Sequence, residues 1–430
     1  MKVLQDIILK YGKKKLNFNI EEVKIKKIIE ANLINQSSLA EITKKALAEP
    51  IASNRLSEIV NEGETAVIVI SDLTRSWQKI DQFLPFIIKE LQVGGIKAKD
   101  ISLLCAGGSH RPHSETEIKK LIGEELYKNF KFIDHDSTKK EDLVKVGVTS
   151  YGTEVIVNKN ILENDRVILT GGIVFHPLAV FSGGRKSLLP GTAAYQSIMK
   201  NHSLSLAEKE GAGIKKSVAS NNLSDNPVHL DMLEAAKMIN NVDFIFNVIP
   251  DGRGGISAAV AGGLFKAHQK GCQITTDLFA KKIDEKAELV IASCGGFPKD
   301  MNLYQISKAI INSVRAVKKG GYLLLMGQGK EGIGHPEVKE IIQNCKNNLE
   351  REMLLRRNFT IARFVGYLIT SKIEDINCIL ISELEQRQLS TTSIRVVKTL
   401  EAGLEIVEND LGKLPPAYIM PDAANTLPIE

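Results

Sequence analysis

The segment TAVIVISDLTR, residues 65–75, has the pattern that best predicts the fold class of this chain. An unbroken apolar run at 66–70 passes directly into polar residues, as in strands of parallel sheets that are covered on both faces. Six further strands are predicted at 101–106, 166–171, 243–249, 288–293, 321–326 and 376–382. Helical periodicity separates several of them, as at 305–319, so the sequence predicts an α/β protein built from βαβ units with parallel-rich sheets.

The length of 430 residues favours two domains. The stretch at 270–287 is charged and helix-like, which is typical of a connection between domains. We therefore predict a first domain over 1–270 and a second α/β domain over 285–415. The proline-rich tail at 416–430 is expected to fold back onto the first domain or to fray.

Composition excludes several classes of protein. The hydrophobic share of 43% and charged share of 25% are ordinary for a soluble globular chain, and the net charge of +5 gives nucleic-acid binding no support. No apolar run approaches the ~20 residues of a membrane span, and the N-terminus lacks a signal-peptide pattern. The cysteines form no Cys-x-x-Cys pair, which favours reduced thiols in the cytoplasm over structural zinc or disulfides. They are Cys105, Cys272, Cys294, Cys345 and Cys378.

Polar clusters follow the predicted strands, where ligands gather in open α/β sheets. The loop after the first strand offers a carboxylate, a hydroxyl and a guanidinium from Asp72, Thr74 and Arg75, and the guanidinium suits bidentate binding of a carboxylate or phosphate. The alternative is a local turn with a surface arginine. In CAGGSHRPHSETEIKKLIG, 105–123, His110 lies in a strand-to-helix loop, and it is either functional or structural.

The start of the next helix is marked within the same stretch. Ser114 and Glu117 fit a capping box. His113, one position before the predicted cap, is interpreted as a residue near the cap.

The stretch VFHPLAVFSGGRKSLLPG, residues 174–191, places Lys186 in an apolar setting. A buried lysine costs several kcal/mol unless its charge is neutralised. Its side chain must therefore reach water, be paired, or be chemically altered. The glycine pair at 183–184 permits positive φ and close approach to a ligand. The alternative interpretation of this loop is an anion nest for a nucleotide phosphate.

Two later features have both functional and structural readings. His202, in YQSIMKNHSL at 195–204, is a poor metal site alone unless a cofactor supplies the other ligands, and otherwise it caps a helix end. The stretch GQGKEGIGHPEVKEII resembles a phosphate loop opening a helix, but it lacks an acidic residue at the ribose distance.

Taken together, these stretches resemble the nickel-pincer-nucleotide-dependent lactate racemase family. The resemblance rests on SDLTR, GGSHRP with SETEI, TSYGTEVIVNKNI, HPLAVFSGGRKSLLPG, NHSL, NPVHLDMLEAA and NLYQISKAI, in the order and spacing of the family over nearly the whole chain. It implies two α/β domains with the active site in the cleft between them. The first domain would bind the cofactor and carry out catalysis, and the second would contribute substrate contacts.

The resemblance also implies the cofactor, a nickel-pincer nucleotide, which is a pyridinium mononucleotide whose two sulfur-bearing arms hold nickel. One arm would form a thioamide with Lys186, and His202 would be the protein ligand to nickel. An acylated amine is uncharged, which would explain a lysine in this setting. The remaining cofactor contacts would come from Asp72, Thr74, Ser182, Gly183, Gly184 and Arg185.

The implied activity is racemisation or epimerisation of a 2-hydroxy acid. A hydride is removed reversibly to give a planar 2-keto acid, and its return to the other face inverts the centre. His110 and His176 would be the two acid/base groups, one for each enantiomer, since imidazole titrates near neutral pH. The substrate carboxylate would be bound by Arg75, Gln305 and Lys308.

Two features depart from the family pattern, and the first is that Ser76 and Trp77 follow SDLTR where the family usually has a proline. The family has a tryptophan in the second domain near the substrate, whereas the single tryptophan here is Trp77, and Phe359 falls near the equivalent position. The substrate is therefore expected to be lactate or a related 2-hydroxy acid. A carboxylase, a sulfur transferase and a nickel-insertion protein would build the cofactor, and a host lacking them would yield apoprotein.

Two other functions fit parts of the pattern. A non-catalytic protein could use Arg75, Arg185 and Lys186 to bind an anionic metabolite or nucleotide. An NAD-dependent dehydrogenase could use the glycines at 327–334.

Overall fold

A computed structural model describes residues 7–18, 23–32 and 37–430. Its strands are β1 Ile7–Tyr11, β2 Lys14–Phe18, β3 Ile25–Ile28, β4 Ala66–Ser71, β5 Ile101–Ala106, β6 Lys131–Asp134, β7 Leu143–Val148, β8 Glu154–Asn158, β9 Arg166–Gly172, β10 Phe175–His176, β11 Val180–Phe181, β12 Val242–Pro250, β13 Ile256–Gly262, β14 Ala280–Lys282, β15 Ala287–Ser293, β16 Val317–Met326, β17 Asn377–Ile381, β18 Ile394–Val397, β19 Ala417–Met420 and β20 Leu427–Ile429.

The helices alternate with these strands. They are α1 Leu39–Ala48, α2 Leu56–Ile59, α3 Ile80–Val93, α4 Glu115–Ile122, α5 Glu124–Asn129, α6 Asn160–Glu163, α7 Tyr195–Ser203, α8 Pro227–Lys237, α9 Leu264–Phe279, α10 Leu303–Ser313, α11 Pro336–Asn344, α12 Asn348–Arg357, α13 Ile361–Lys372 and α14 Leu400–Leu411. Short 3₁₀ segments include Leu73–Gln78 and Gly184–Ser187. The capping box predicted for Ser114 and Glu117 is confirmed at the start of α4.

The chain divides into two units. The first to be described, here called the N-terminal unit, comprises residues 37–205 and Lys215–Asp277. Its sheet has the strand order β13-β12-β9-β4-β5-β6, in which all neighbours are parallel except β12 and β13. The apolar run of β4 is fully buried because side chains of α3 cover one face of the sheet, where Phe83 stacks against Phe246 of β12.

The strand order of this sheet locates its crevice. From β4 the chain proceeds outward to β5 and β6, then returns to add β9 and β12 on the other side of β4. The direction of winding therefore reverses between β4 and β9. In open α/β sheets such a switch point, at the carboxyl ends of the strands, is where ligands bind.

The other unit, here called the C-terminal unit, comprises the described residues up to Asn32, Leu206–Ile214 and Leu278–Glu430. Its sheet, in the order β18-β17-β16-β15-β19-β3, is parallel throughout. Each unit is thus an α/β sheet structure, which confirms the predicted fold class.

The units are not the two continuous segments that the sequence predicts. β3 pairs with β19, and β20 pairs with β14, so both the described residues up to Asn32 and the tail at 416–430 lie in the C-terminal unit. The loop Leu206–Ile214 also belongs there because the buried Glu352 carboxylate accepts hydrogen bonds from the amides of Gly211 and Gly213, each at 3.0 Å. Among the described residues, no helix is long and apolar enough to cross a membrane.

Candidate active site

The loops that follow β4, β5 and β9 meet at the crevice of the N-terminal unit. They carry most of the residues that the sequence singles out, because the three strands are parallel neighbours and end at the same edge. The loop after β5 packs on the one after β9: the Gly108 amide donates to the carbonyl of Gly191 at 2.9 Å. Predicted residues far apart in sequence are thereby brought to one edge of the sheet.

Asp72 and His110 form a close pair. The Nδ1–H of His110 donates to Asp72 Oδ2 at 2.6 Å, which leaves Nε2 as the basic nitrogen on a ring whose side chain is 49% exposed. Burial opposes ionisation of Asp72, but the hydrogen bond from His110 and the positive charges of His110 and Arg75 outweigh it and lower the pKa of the carboxyl. Asp72 is therefore ionised at neutral pH and orients the imidazole.

Thr74 and Arg75 extend this network towards solvent. The hydroxyl of Thr74 donates to the Asp72 carboxylate at 2.9 Å, and Arg75 Nη1 donates to Thr74 Oγ1 at 3.0 Å. Both residues are exposed, on the 3₁₀ segment that begins at Leu73. The guanidinium is thus held near the His110–Asp72 pair while keeping donors available for an anion.

His176 carries its proton on the opposite ring nitrogen. Its Nδ1 accepts hydrogen bonds from the amides of Leu178 at 3.2 Å and Ala179 at 3.1 Å. The proton of the neutral ring therefore resides on Nε2. The two imidazoles differ: His110 presents a lone pair at Nε2, whereas His176 presents an N–H.

The glycine pair is required by close packing within the chain. Gly183 and Gly184 have φ of +76° and +53°. A Cβ on Gly183 would lie 2.8 Å from Asn247 Oδ1, and one on Gly184 would lie 2.7 Å from the ring of His268. Only glycine allows the loop to lie this close to β12 and α9.

Arg185 and Ser182 turn inward. The Arg185 side chain is buried, and its Nη2 donates to the carbonyls of Ala179 at 2.7 Å and Phe181 at 3.3 Å. The Ser182 hydroxyl donates to the Gly172 carbonyl at 2.6 Å. Burial lowers the pKa of Arg185 to about 10. Both side chains thus brace the loop.

Lys186 follows on the same 3₁₀ turn. Burial, together with the charges of Arg185 and Arg75, lowers the pKa of its amine well below the usual value. The uncharged amine is the nucleophilic form of lysine. The loop therefore favours a neutral amine at the position where the sequence predicts covalent attachment.

His202 lies in the last turn of α7, and 2% of it is exposed. Its Nδ1–H donates to the Ile198 carbonyl at 2.9 Å, so Nε2 keeps its lone pair. Burial lowers the pKa of the ring to about 3. A neutral imidazole oriented by a backbone carbonyl is the usual form of a histidine metal ligand.

The other residues that the sequence singles out lie in different elements and have different contacts. Gln305 and Lys308 lie in the first turns of α10 in the C-terminal unit, where Lys308 Nζ donates to Gln305 Oε1 at 2.8 Å. Phe359 packs against Phe364, with ring centroids 5.9 Å apart. Trp77 packs on the end of β9, and a Cβ on Gly172 would meet it at 2.3 Å.

Sequence reasoning missed several residues that build this edge. Asn247 Oδ1 accepts the Gly184 amide at 2.9 Å, and its signal is a lone amide side chain within the apolar run DFIFNVI. His268 lies 3.1 Å from Arg185 Nη1 and is carried by α9, in which no local pattern marks it. The contacts of Asp134 with His113 were also missed, because β6 is a short strand without an apolar run.

Comparison with known proteins assigns the chain to a family. Models of the lactate racemase N-terminal and C-terminal domains match residues 11–213 and 282–427. The chain is 35% identical to lactate racemase of Thermoanaerobacterium thermosaccharolyticum over 77% of its length and 76% of the relative's. It is 30% identical to that of Lactiplantibacillus plantarum over 91% and 92% of the two chains.

Solved structures agree with this assignment. The lactate racemase apoprotein of T. thermosaccharolyticum superposes with a TM-score of 0.89 at 29% identity, covering 99% of this chain and 100% of that one. A Thermotoga maritima protein with a TM-score of 0.63 and 17% identity covers 93% of this chain and 99% of its own, and it shares the fold. The chain therefore belongs to the lactate racemase family of isomerases.

Proposed function

We propose that this enzyme racemises or epimerises a 2-hydroxy acid, lactate or a close relative, in the crevice of the N-terminal unit. Its relatives are named lactate racemases. The observation that carries the proposal is that the N-terminal unit holds the His110–Asp72 acid/base pair together with two nitrogen groups of lowered pKa, the Lys186 amine on the 3₁₀ turn after β11 and the His202 imidazole at the end of α7.

The residues present fit a nickel-pincer nucleotide. His202 offers Nε2 as a neutral ligand fixed by its bond to Ile198, and Lys186 offers an amine whose lowered pKa favours the uncharged form that could form a thioamide. Backbone of the loop from Ser182 to Arg185, together with Asp72 and Thr74, would hold the nucleotide. When bound, this cofactor supplies a reversible hydride acceptor.

His110 is the proposed base for one enantiomer. Its Nε2 takes the proton of the substrate hydroxyl, and Asp72 stabilises the imidazolium that forms through the 2.6 Å bond to Nδ1. Loss of this proton, together with transfer of the hydride from the 2-carbon to the bound cofactor, would turn the hydroxyl oxygen into a carbonyl oxygen and make the 2-carbon planar. Asp72 needs no proton at any stage, since its pKa is lowered.

His176 is the proposed acid/base group for the other enantiomer. In its resting state it donates from Nε2 to the substrate oxygen. To take a proton there, the ring must carry its own proton on Nδ1, so the amides of Leu178 and Ala179 must turn away from that nitrogen. Action of His176 as a base therefore requires a rearrangement of the loop at 177–179, whereas His110 needs none.

Arg75 is the proposed partner of the substrate carboxylate. A guanidinium binds a carboxylate through two parallel N–H bonds and fixes its plane. This would orient the 2-carbon while leaving the carboxylate in place for both enantiomers.

Racemisation of a single enantiomer tests the proposal. The chain is co-expressed with the carboxylase, sulfur transferase and nickel-insertion protein, and each pure enantiomer of a set of 2-hydroxy acids is followed by chiral chromatography without NAD. We expect both enantiomers to approach an equal mixture with no net oxidation. Net oxidation that requires NAD would support the dehydrogenase, and binding without turnover or adduct would support the anion-binding protein.

A further inference from the structure

A second aspartate–histidine pair, Asp134 and His113, contacts the segment that follows Asp72. His113, whose side chain is 5% exposed, places Nδ1 3.0 Å from Asp134 Oδ1, at the end of β6. Its backbone amide also donates to Asp134 Oδ2 at 2.6 Å. On the other side of the ring, Nε2 accepts a hydrogen bond from the amide of Leu73 at 3.2 Å. The ring thus connects β6 with the loop that follows β4.

These contacts fix the tautomer of His113. A backbone amide can only donate, so Nε2 is the acceptor and the proton lies on Nδ1, where it is donated to Asp134. The ligand atoms of Cys105, His113 and Asp134 lie within 4.8 Å of one another, as in a metal site. However, both ring nitrogens are engaged, and burial raises the pKa of the Cys105 thiol well above its usual value. The cluster is therefore a hydrogen-bond network.

We propose that His113 is a positioning residue for the reaction: by holding the Leu73 amide it fixes the adjoining Asp72 carboxylate, which in turn orients His110. The proposal rests on the proposed function in naming His110 as the base. Leu73 is the first residue of the 3₁₀ segment and Asp72 is its N-cap.

The position of Leu73 explains why this contact matters. The first amides of a helix have no partner within the helix, and an unsatisfied buried donor costs about 1–3 kcal/mol. The Asp72 side chain accepts no hydrogen bond from the amides of the segment. Its carboxylate is thus available for His110 and Thr74, while His113 satisfies the amide that follows.

Two substitutions of His113 test the contacts of its Nδ1 and its Nε2 separately. The amide of His113→Asn overlies Nδ1 and keeps the bond to Asp134 but cannot reach Leu73. The amide of His113→Gln overlies Nε2 and can accept from Leu73 while losing the Asp134 side. The proposal predicts that Asn impairs His110 and Gln preserves it. If His113 instead serves only to anchor β6 through Asp134, His113→Gln should impair His110 and His113→Asn should preserve it.

The first readout uses the chain without cofactor and is independent of turnover. Proteins carrying ¹⁵N-histidine are compared by long-range ¹H–¹⁵N correlation, with the His110 signals identified from His110→Gln. We expect the Nδ1–H tautomer of His110 in the parent and in His113→Gln, and a mixture of tautomers in His113→Asn. In the loaded enzyme, His113→Asn should lower kcat on the order of tenfold, with KM within about twofold.

A third substitution keeps the test decisive if His113→Asn does not fold. Leu73→Pro removes the donated hydrogen itself and leaves His113 intact. Proline is tolerated at the first position of a helix, and Asp72 already has φ −75° and ψ 173°, which suits a residue before proline. It should reproduce the mixture of His110 tautomers.

The outcomes are distinct. An unchanged His110 tautomer in both His113→Asn and Leu73→Pro would overturn the proposal, as would impairment by His113→Gln alone. Absence of racemisation in the loaded parent, with the expected tautomers in the variants, would leave the positioning role intact and count against the proposed function.

Discussion

Replacing Asp72 by asparagine tests the His110–Asp72 pair with the least change in shape. The carboxylate is 4% exposed and accepts the His110 Nδ1–H at 2.6 Å, so it stabilises the imidazolium formed when Nε2 takes a proton. A hydrogen bond to a charged group contributes about 1.5–3 kcal/mol. At about 1.4 kcal/mol per tenfold change in rate, Asp72→Asn should lower kcat by about 10- to 150-fold.

The assay is initial racemisation of one enantiomer at neutral pH, with cofactor loading of each protein checked by intact mass. Asp72 is ionised there because its pKa is lowered, and the contribution of the pair should be lost only as the pH falls below about 4. Glu64→Gln is the matched control, since it removes a carboxylate that precedes the opposite end of β4 and pairs with Arg166 at 2.7 Å. A kcat for Asp72→Asn within about twofold of the control, at equal loading, would refute the role of Asp72.

Three further predictions concern binding and stability. Arg75→Lys should raise KM or lower kcat by about tenfold, because lysine cannot form the bidentate contact, and unchanged kinetics would show that Arg75 does not bind the carboxylate. The bond from Arg166 lowers the pKa of Glu64 to about 2, so the stability it gives is present above pH ~4.5 and is lost towards pH 2. The difference in unfolding free energy between the parent and Glu64→Gln should shrink over that range, and a constant difference would contradict the pairing. Glu352→Gln should lower the unfolding free energy by about 3 kcal/mol in denaturant titrations, because the partly buried Arg356 and the 206–214 loop lose the buried Glu352 carboxylate, and a loss below about 0.5 kcal/mol would contradict this role.

The sequence predicts the buried strands well and the edge strands poorly. All seven apolar runs are strands in the structure, because burial on both faces leaves an uninterrupted local signal. β6 and β18 were missed because edge strands need no apolar run, and β13 because alanine and glycine dominate it. The pairing of β3 with β19 joins residues nearly a whole chain apart, and no local pattern encodes it.

The residues of the candidate site are likewise predicted better than the directions of their side chains. Strand-end reasoning and the family motifs predict which residues gather at the edge, since parallel neighbours end together. They do not predict where a side chain points. In the anion-binding alternative the guanidinium of Arg185 would face a ligand, whereas in the structure it donates to backbone carbonyls inside the loop. The tautomers of His110 and His176 also depend on partners remote in sequence or on loop geometry.

Intact mass and nickel content of the chain co-expressed with the cofactor-building enzymes test the central proposal most directly. The parent should carry a covalent adduct with about one nickel per chain, and so should Lys200→Ala, a control that removes an exposed lysine of α7. Lys186→Ala should carry neither adduct nor activity. An adduct of the same mass on Lys186→Ala, or racemisation at the parent's rate by that variant, would contradict covalent attachment at Lys186.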